Sequence, residues 1–274
     1  MSLPADSVFK ENLHALLPEG LRIGHPFIHL AETTSTNAYL KELLSVAEQP
    51  VGTVAFTDHQ VQGRGRLGRT WSDEPGANLL LSIVAPVPES ADHLGLMSLA
   101  TALAVRNIVA LYATPAKVQV KWPNDVYVLV DGLLRKVSGI LLEKTERGLI
   151  IGIGLNVNQT LFEGPLDRIA TSMARVTGSL FPRVLVLRDL LRELDTCWNR
   201  AINDPASISN DIMHHLAGMG EKTSVQLYNQ VTSGILLGLT PEGHLRIDTG
   251  QGILKIPTGE ILFSMPDADA FTDH

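Results

Sequence analysis

Between Val118 and Val157 the sequence reads as four short β-segments in close succession, and this run limits the architecture more than any other stretch. The segments are Val118–Trp122, Val126–Val130, Val137–Glu143 and Leu149–Val157. Asp131-Gly132 is a two-residue hairpin signal between two of them, and Arg147-Gly148 marks another turn. Upstream, Thr34–Ala47 reads as a helix with Leu40, Leu43 and Leu44 on one face, and Val51–Thr57 and Leu79–Pro86 read as strands. His93–Tyr112 is expected to be amphipathic, with Leu96, Ala100, Leu103, Ala104, Ile108 and Leu111 at helical spacing. A short helix is expected over 6–17, ended by Pro18-Glu19-Gly20, and a second strong helix over Leu185–Ile202. After Gly220 the character changes. Val225–Leu227, Gly234–Leu239, His244–Asp248, Ile253–Ile256 and Glu260–Phe263 are short strands at even spacing, the signature of a small barrel or sandwich. The boundary is expected between 215 and 222, and the last residues, 267–274, as a frayed tail.

A chain of 274 residues can bury a large core and carry a second domain. The formal charge of -7 argues against a general nucleic-acid binder, which would present a basic face. Cys197 is the single cysteine, which excludes an intrachain disulfide and a multi-cysteine metal site. Its neighbours Leu194 and Trp198 suggest a buried helical position, and a reducing cytoplasm is the expected setting. No apolar run is expected to reach the roughly 18 residues of a membrane span. No H-E-x-x-H, G-x-S-x-G or Walker-type motif occurs.

Against this acidic background, residues 63–69, Gly-Arg-Gly-Arg-Leu-Gly-Arg, form an island of positive charge with no acidic residue between His59 and Ser72. Glycine lets a backbone approach a ligand closely, and arginine brings a planar donor fork suited to carboxylate and phosphate. Gly63, Gly65 and Gly68 also fit the dinucleotide pattern G-x-G-x-x-G. That pattern needs a hydrophobic strand before it and a helix after it, and neither flank qualifies here. A bland solvated loop is the other reading.

Four further segments keep this loop company. Thr34-Ser35-Thr36-Asn37 stands at a helix start, where an N-cap is the simple reading and a polar ligand head the alternative. Lys121-Trp122-Pro123-Asn124-Asp125 can be a turn, yet it holds a cation, an aromatic and a carboxylate that a turn does not need. Gly139, after Arg135-Lys136-Val137-Ser138, sits inside a strand pattern, where close backbone approach by a ligand is one explanation. Gly152-Ile153-Gly154-Leu155-Asn156-Val157-Asn158 places two glycines in an apolar strand, pointing to tight packing or a nearby ligand. Trp71 reads as a core anchor or as a stacking platform for a base.

In this order and spacing the segments resemble the biotin protein ligases, also called holocarboxylase synthetases. The likeness rests on Ser35-Thr36-Asn37, the loop from Gln60 through Gly63-Arg64-Gly65-Arg66 to Trp71, Lys121 to Asp125, Lys136 with Gly139, and Gly152 to Asn158. It spans about 23–265, including the Gly259-Glu260-Ile261 ending. It implies an α+β fold with a mixed-sheet catalytic domain over 23–218 and a small SH3-like β-barrel over 219–266, after an N-terminal extension of residues 1–22. The activity implied is activation of biotin by ATP, with its Mg²⁺, to biotinyl-5′-AMP, then transfer to a lysine of a biotin carboxyl-carrier protein, such as an acetyl-CoA carboxylase subunit. By the same likeness Ser35, Thr36, Asn37 and Gln60 would bind the ureido ring and its surroundings. Arg64, Gly65 and Arg66 would close over biotin and phosphate. Lys136 would meet the carboxylate and then the adenylate, and Trp71 would pack on the adenine with Asn156 near it. Asp125 would stand by the acceptor lysine. About 22 residues precede the matching region, too few for the helix-turn-helix of members that double as repressors, so the chain resembles the monofunctional type and DNA is not an expected partner. Without an apolar run of membrane length, a membrane is not expected either, while a homodimer stays open. Lipoate and octanoate ligases share the architecture but use a different arginine-glycine motif. A biotin sensor that no longer transfers is the non-enzymatic alternative.

Overall fold

The structure, a computed structural model, describes residues 20–228 and 230–262. The helix expected over 6–17, Phe263 at the end of the last expected strand and the tail from 267 lie outside the described residues.

Seven strands form the main sheet: β1 (Phe27–Leu30), β2 (Val54–Thr57), β3 (Leu79–Ala85), β4 (Val118–Lys121), β5 (Asp125–Val130), β6 (Leu133–Lys144) and β7 (Leu149–Leu155). Their order is β1-β2-β3-β7-β6-β5-β4. β1 and β2 are parallel and the remaining pairs antiparallel, so the sheet is mixed. The run from 118 to 157 is the expected meander. Asp131 and Gly132 both take positive φ, 50° and 78°, as a type I′ hairpin turn requires. Pairing β7 between β3 and β6 fixes the registers Ser82↔Gly152↔Leu141 and Leu80↔Gly154↔Gly139. Because side chains alternate in direction along a strand, both glycines of β7 and Gly139 share a face with Ser82.

Helix α1 (Thr36–Val46) packs on this sheet near Ala55, Val84 and Ile150 through Leu40 and Leu44. Helix α2 (Leu94–Tyr112) corrects the expectation of amphipathicity. It is buried on nearly every side, from Leu96 to Val105 and again at Ile108 and Val109, while Leu111 is 65% exposed. Its length and hydropathy would let it cross a membrane, a reading the sequence analysis did not make, but most of it lies inside the protein. The helix is enclosed because α5 (Arg183–Asn203) and α6 (Pro205–Met213) cover it on the side away from the sheet. The amphipathic stripe belongs to α5, whose Val186, Leu187, Leu190, Leu191, Leu194 and Cys197 are buried. Trp198 Nε1 donates to Thr101 Oγ1 at 2.9 Å, fixing α5 against α2. Two short helices, α3 (Leu166–Ile169) and α4 (Met173–Thr177), follow β7.

β8 (Lys222–Leu227), β9 (Gln230–Leu239), β10 (Leu245–Asp248), β11 (Ile253–Ile256) and β12 (Glu260–Leu262) form a second, antiparallel sheet in the order β11-β10-β9-β8-β12. Its inward residues Val225, Leu236, Leu245, Ile247 and Ile261 are continuous with the main core. Buried Trp122 donates from Nε1 to the Gly243 carbonyl at 3.0 Å, so the tryptophan of the Lys121–Asp125 segment joins the two sheets. A side chain at Gly243 would stand 2.8 Å from Leu99 Cδ1. The β9–β10 turn therefore fits against α2 only as glycine.

Candidate active site

The face of the main sheet that carries the β7 glycines opens into a cavity of about 250 Å³. Ser35, Thr36, Asn37, Gln60, Arg64, Gly65, Arg66, Trp71, Asp125, Lys136, Gly139 and Asn156 all line it, so residues scattered over 122 positions meet at one place.

The inner end is polar and uncharged. Ser35 is the N-cap residue of α1 by backbone conformation, but its side chain makes no capping bond. The capping reading of the Ser-Thr-Asn run therefore fails in its side-chain part, because these groups face the cavity and each other. Gln60 Oε1 accepts from the Thr36 amide at 2.9 Å and from its hydroxyl at 3.2 Å. The Ser82 hydroxyl lies 2.6 Å from Thr36 Oγ1 and 2.5 Å from Asn37 Oδ1. Asn37 Nδ2 donates to Glu143 Oε2 at 2.7 Å, which sets the amide orientation. Ser82 and Glu143 were not found from sequence, although Ser82 is the lone polar residue of β3, Leu-Leu-Leu-Ser-Ile-Val-Ala, and that anomaly was a usable signal.

The strand glycines make room for neighbouring side chains. A Cβ on Gly152 would stand 2.2 Å from Asn37 Oδ1, and one on Gly154 2.6 Å from the Trp71 ring. Gly139 was expected to admit a ligand. What approaches it is the Lys136 ammonium, 3.0 Å from a Cβ built there, and the edge of Trp71 at 3.1 Å. Tight packing is thus the reason for all three glycines, and it seats the Trp71 ring flat on β6 and β7.

The outer end is cationic. Lys136 Nζ pairs with Asp125 Oδ1 at 2.8 Å and stands 5.7 Å from the centroid of Trp71. Arg66 donates to Asn124 Oδ1 at 2.9 Å and reaches the Gly259 carbonyl at 3.4 Å. Arg69 forms a two-pronged pair with Glu260, 2.8 and 2.7 Å, so the arginine loop is clasped to β12. Burial alone would push the Glu260 carboxyl up, but the Arg69 hydrogen bond and charge, with Lys121 and Arg66, bring it below the ordinary glutamate range. Lys121 lines the same end, and burial lowers its ammonium although Asp125 and Glu260 pull the other way. Arg64 is exposed. Arg69, Lys121 and Glu260 add to the residues expected from sequence.

Three buried polar atoms on the cavity wall, Trp71 Nε1, Asn156 Oδ1 and Asp125 Oδ1, have no hydrogen-bond partner among the described residues, although Asp125 Oδ1 faces the Lys136 ammonium. Buried polar groups are nearly always hydrogen-bonded, so a donor and an acceptor left open in one cavity suit a polar ligand. The wall thus offers neutral hydrogen-bonding groups at one end and fixed cations at the other. That arrangement fits a molecule with an uncharged polar head and an anionic tail.

Comparison with known proteins meets this geometry. A model of the biotin/lipoate A/B protein ligase family matches residues 30–159. A biotin–[acetyl-CoA-carboxylase] ligase of Mycobacterium tuberculosis is 34% identical over 227 residues, 81% of this chain and 82% of that protein. A bifunctional ligase/repressor BirA of Bacillus subtilis is 29% identical, over 84% of this chain and 71% of its own length. Among solved structures, a biotin protein ligase from Aquifex aeolicus in complex with biotin and ATP superposes with a TM-score of 0.76. It is 31% identical, with 86% of this chain and 97% of that one covered.

Proposed function

The chain belongs to the biotin protein ligases, and from that premise we propose how its own residues carry the ATP-dependent reaction. The enzyme activates biotin as biotinyl-5′-AMP and passes the biotinyl group to a carrier lysine; the relative named as a biotin–[acetyl-CoA-carboxylase] ligase supports a carboxylase as the acceptor. The observation that carries the assignment of roles is the single cavity that runs from Ser35, Thr36, Asn37 and Gln60 to Lys136, Arg64 and Arg66. The neutral end matches a ureido ring, which both donates and accepts. The cationic end matches a carboxylate beside a triphosphate.

In the first step the biotin carboxylate oxygen attacks the α-phosphorus of MgATP, and pyrophosphate leaves. Two anions must meet. Lys136, Arg64 and Arg66 offset that repulsion and meet the charge building on the phosphorus oxygens. Holding both reactants in near-attack geometry contributes roughly 7–11 kcal/mol. Mg²⁺ comes with the nucleotide as substrate; among the described residues no group of three or more His, Cys, Asp or Glu is arranged to hold a metal. Trp71, already flat on Gly154, presents its other face for the adenine, with the open Asn156 carbonyl close by.

In the second step the acceptor lysine amine attacks the carbonyl of the mixed anhydride, and AMP leaves. The amine must be neutral, and Asp125 is the carboxylate placed to orient it or take its proton. Its pairing with Lys136 holds that carboxylate in position at the cationic end. The arginine loop, clasped to β12, keeps water from the adenylate between the steps. The lone buried Cys197 fits a reducing cytoplasm as the working compartment.

The deciding experiment is pyrophosphate release from MgATP with biotin, beside lipoate and octanoate, before and after a biotin carrier domain is added. A biotin-dependent burst equal to enzyme, turning over only with carrier, is the expected result. Binding of biotin without release would mark a sensor. Release only with lipoate or octanoate would move the substrate to the sister activity.

A further inference from the structure

The arginine loop has a stem, and a side-chain pair closes it. His59 Nδ1 lies 2.9 Å from Asp73 Oδ2, with the carboxylate fully shielded from solvent and the imidazole 29% exposed. His59 immediately precedes Gln60, and Asp73 follows Trp71 by two positions. The pair therefore spans the base of a segment that contains Gln60, Arg64, Gly65, Arg66 and Trp71. Above it, among the described residues, the two legs are joined through backbone contacts. The Trp71 amide donates to the Gly63 carbonyl at 2.9 Å, Arg64 bridges Thr70, and the Gly65 amide donates to Arg69 at 2.7 Å. The tip turns at Leu67 and Gly68, both at positive φ.

The two legs are not held alike. The leading leg is tied to the segment before α1, by the Val61 amide to the Thr33 carbonyl and the Gln62 amide to the Thr34 carbonyl, both at 3.0 Å. On the trailing leg, the Gly76 amide donates to the Asp58 carbonyl at 2.9 Å below the pair, and the Glu74 amide makes a longer bond of 3.4 Å to Gln159 Oε1. Between that rung and Trp71, Asp73 is the side-chain tie. Burial pushes the Asp73 carboxyl above the ordinary aspartate range, although the His59 bond and the Gln60 main chain, its other partner, favour the charged form. Gln60 in turn accepts from both Thr36 donors. A connected path thus runs from the trailing leg through Asp73 to the neutral end of the cavity.

We propose that His59 and Asp73 are positioning residues for adenylate retention: their bond fixes the trailing leg of the arginine loop, and with it Trp71, to the leg that carries Gln60. Neither residue lines the cavity, so they act through Trp71 and Gln60. The inference rests on the ligase reading above. A leg freed at this point leaves the loop able to open while biotin itself is still held by the inner wall.

The test uses the full chain. Bound biotinyl-adenylate is formed from biotin and MgATP, free ligands are removed by rapid gel filtration, and its loss is followed in time. KM for biotin, first-turnover pyrophosphate release and the melting temperature are recorded alongside. His59→Phe keeps an aromatic ring but removes the donor. It is expected to shorten adenylate retention about tenfold, the effect of losing one hydrogen bond to a charged partner, with KM for biotin changed less than about threefold. His59→Asn, which restores an N–H near the Nδ1 position, should recover most of the retention. Asp73→Asn keeps one acceptor oxygen and should lose about threefold. Should His59→Phe not fold, Asp73→Asn against wild type decides the matter alone. Retention within a factor of 1.5 of wild type in folded variants would overturn the proposal, as would a lowered melting temperature with equal losses in KM and retention that Asn at 59 does not rescue. A wild-type chain that forms no adenylate would overturn the ligase reading itself, and this inference with it.

Discussion

Thr36 and Asn37, on the inner wall of the cavity, are each 3% exposed, and Ser82 is fully buried, whereas Leu67 at the tip of the arginine loop is 76% exposed. The inner wall is held by α1, β3 and β7 together. Thr36, Asn37, Ser82 and Gln60 are bonded to one another before any ligand arrives, and Gly152 leaves no slack beside Asn37. The loop rests on a few rungs across its own stem and on the contacts of Arg66 and Arg69 with Asn124 and the Gly259-Glu260 turn. Segments with few buried contacts open at low free-energy cost, and segments in the core do not. One half of the site is thus preformed, which suits the head-group role proposed for it. The other half is held by few buried contacts, which suits the proposed closing over a water-sensitive intermediate. Substitutions on the wall should alter folding and affinity together, and those on the loop should alter chemistry or retention with the fold intact.

The sharpest break between the two halves is expected at Lys136, which belongs to the main sheet but serves the loop side. Lys136→Ala should reduce single-turnover pyrophosphate release by about 10²–10³, the range for removing one donor to developing charge, with the melting temperature little changed. The check is rapid-quench kinetics at saturating biotin. A loss confined to KM for biotin would place Lys136 in ground-state binding only. Next in size is Gly152→Ala. The added methyl meets Asn37 Oδ1 and must displace it, at a cost of about 1–3 kcal/mol for forced repacking. Thermal unfolding should show the loss, and KM for biotin should rise at least tenfold in the same variant. A normal KM with reduced stability would separate packing from head-group recognition. Arg66→Gly is the counterpart on the loop. Its stability should stay within about 0.5 kcal/mol of wild type while bound adenylate escapes about tenfold faster, giving biotin addition to bystander lysines. Retention unchanged in that variant would remove Arg66 from the closing role.

The same contrast explains what could be read from the sequence. The meander from 118 to 157 and the Asp131-Gly132 hairpin were legible because turn chemistry and β-branched runs act locally. The meeting of Ser35–Asn37, Gln60–Arg66, Lys136 and Asn156 in one cavity was legible only through family resemblance, since it depends on β7 pairing between β3 and β6. β1 was missed: Phe-Ile-His-Leu is too short to show a period and forms by parallel pairing with β2. α2 was read as amphipathic because one apolar face was followed, whereas Met97, Leu99, Ala102, Val105 and Val109 off that face are buried as well once α5 covers them. The reasons for Gly139, Gly152 and Gly154 depend on distant side chains, Trp71 and Asn37, that no local pattern reveals. Ser82 and Glu260 escaped for the same cause: each matters through a partner 45 or more positions away.

The smallest effect, and the one that bears most directly on how the loop is held, is expected at Glu260. Its pair with Arg69 joins the loop to the C-terminal sheet, but Arg69 is 61% exposed, so solvent screening limits the pair to at most about 1 kcal/mol. The sign with pH is fixed by the direction of the shift. Glu260 sits below the ordinary glutamate range in the folded state, so the unfolded chain binds its proton more readily. The stabilisation is then fully present above the ordinary glutamate pKa and is lost as pH falls through the lower, folded value. In Glu260→Gln that contribution is missing at every pH. The difference in melting temperature between wild type and Glu260→Gln should therefore be constant across about pH 6 to 8 and shrink toward zero in acid. Limited proteolysis within 63–69 should show the same convergence if the clasp acts on the loop. A difference that persists undiminished in acid would mean that the carboxylate charge is not what holds the loop to β12. The preformed half of the site would then also be the source of the loop's order, through the Trp71 ring seated on Gly154.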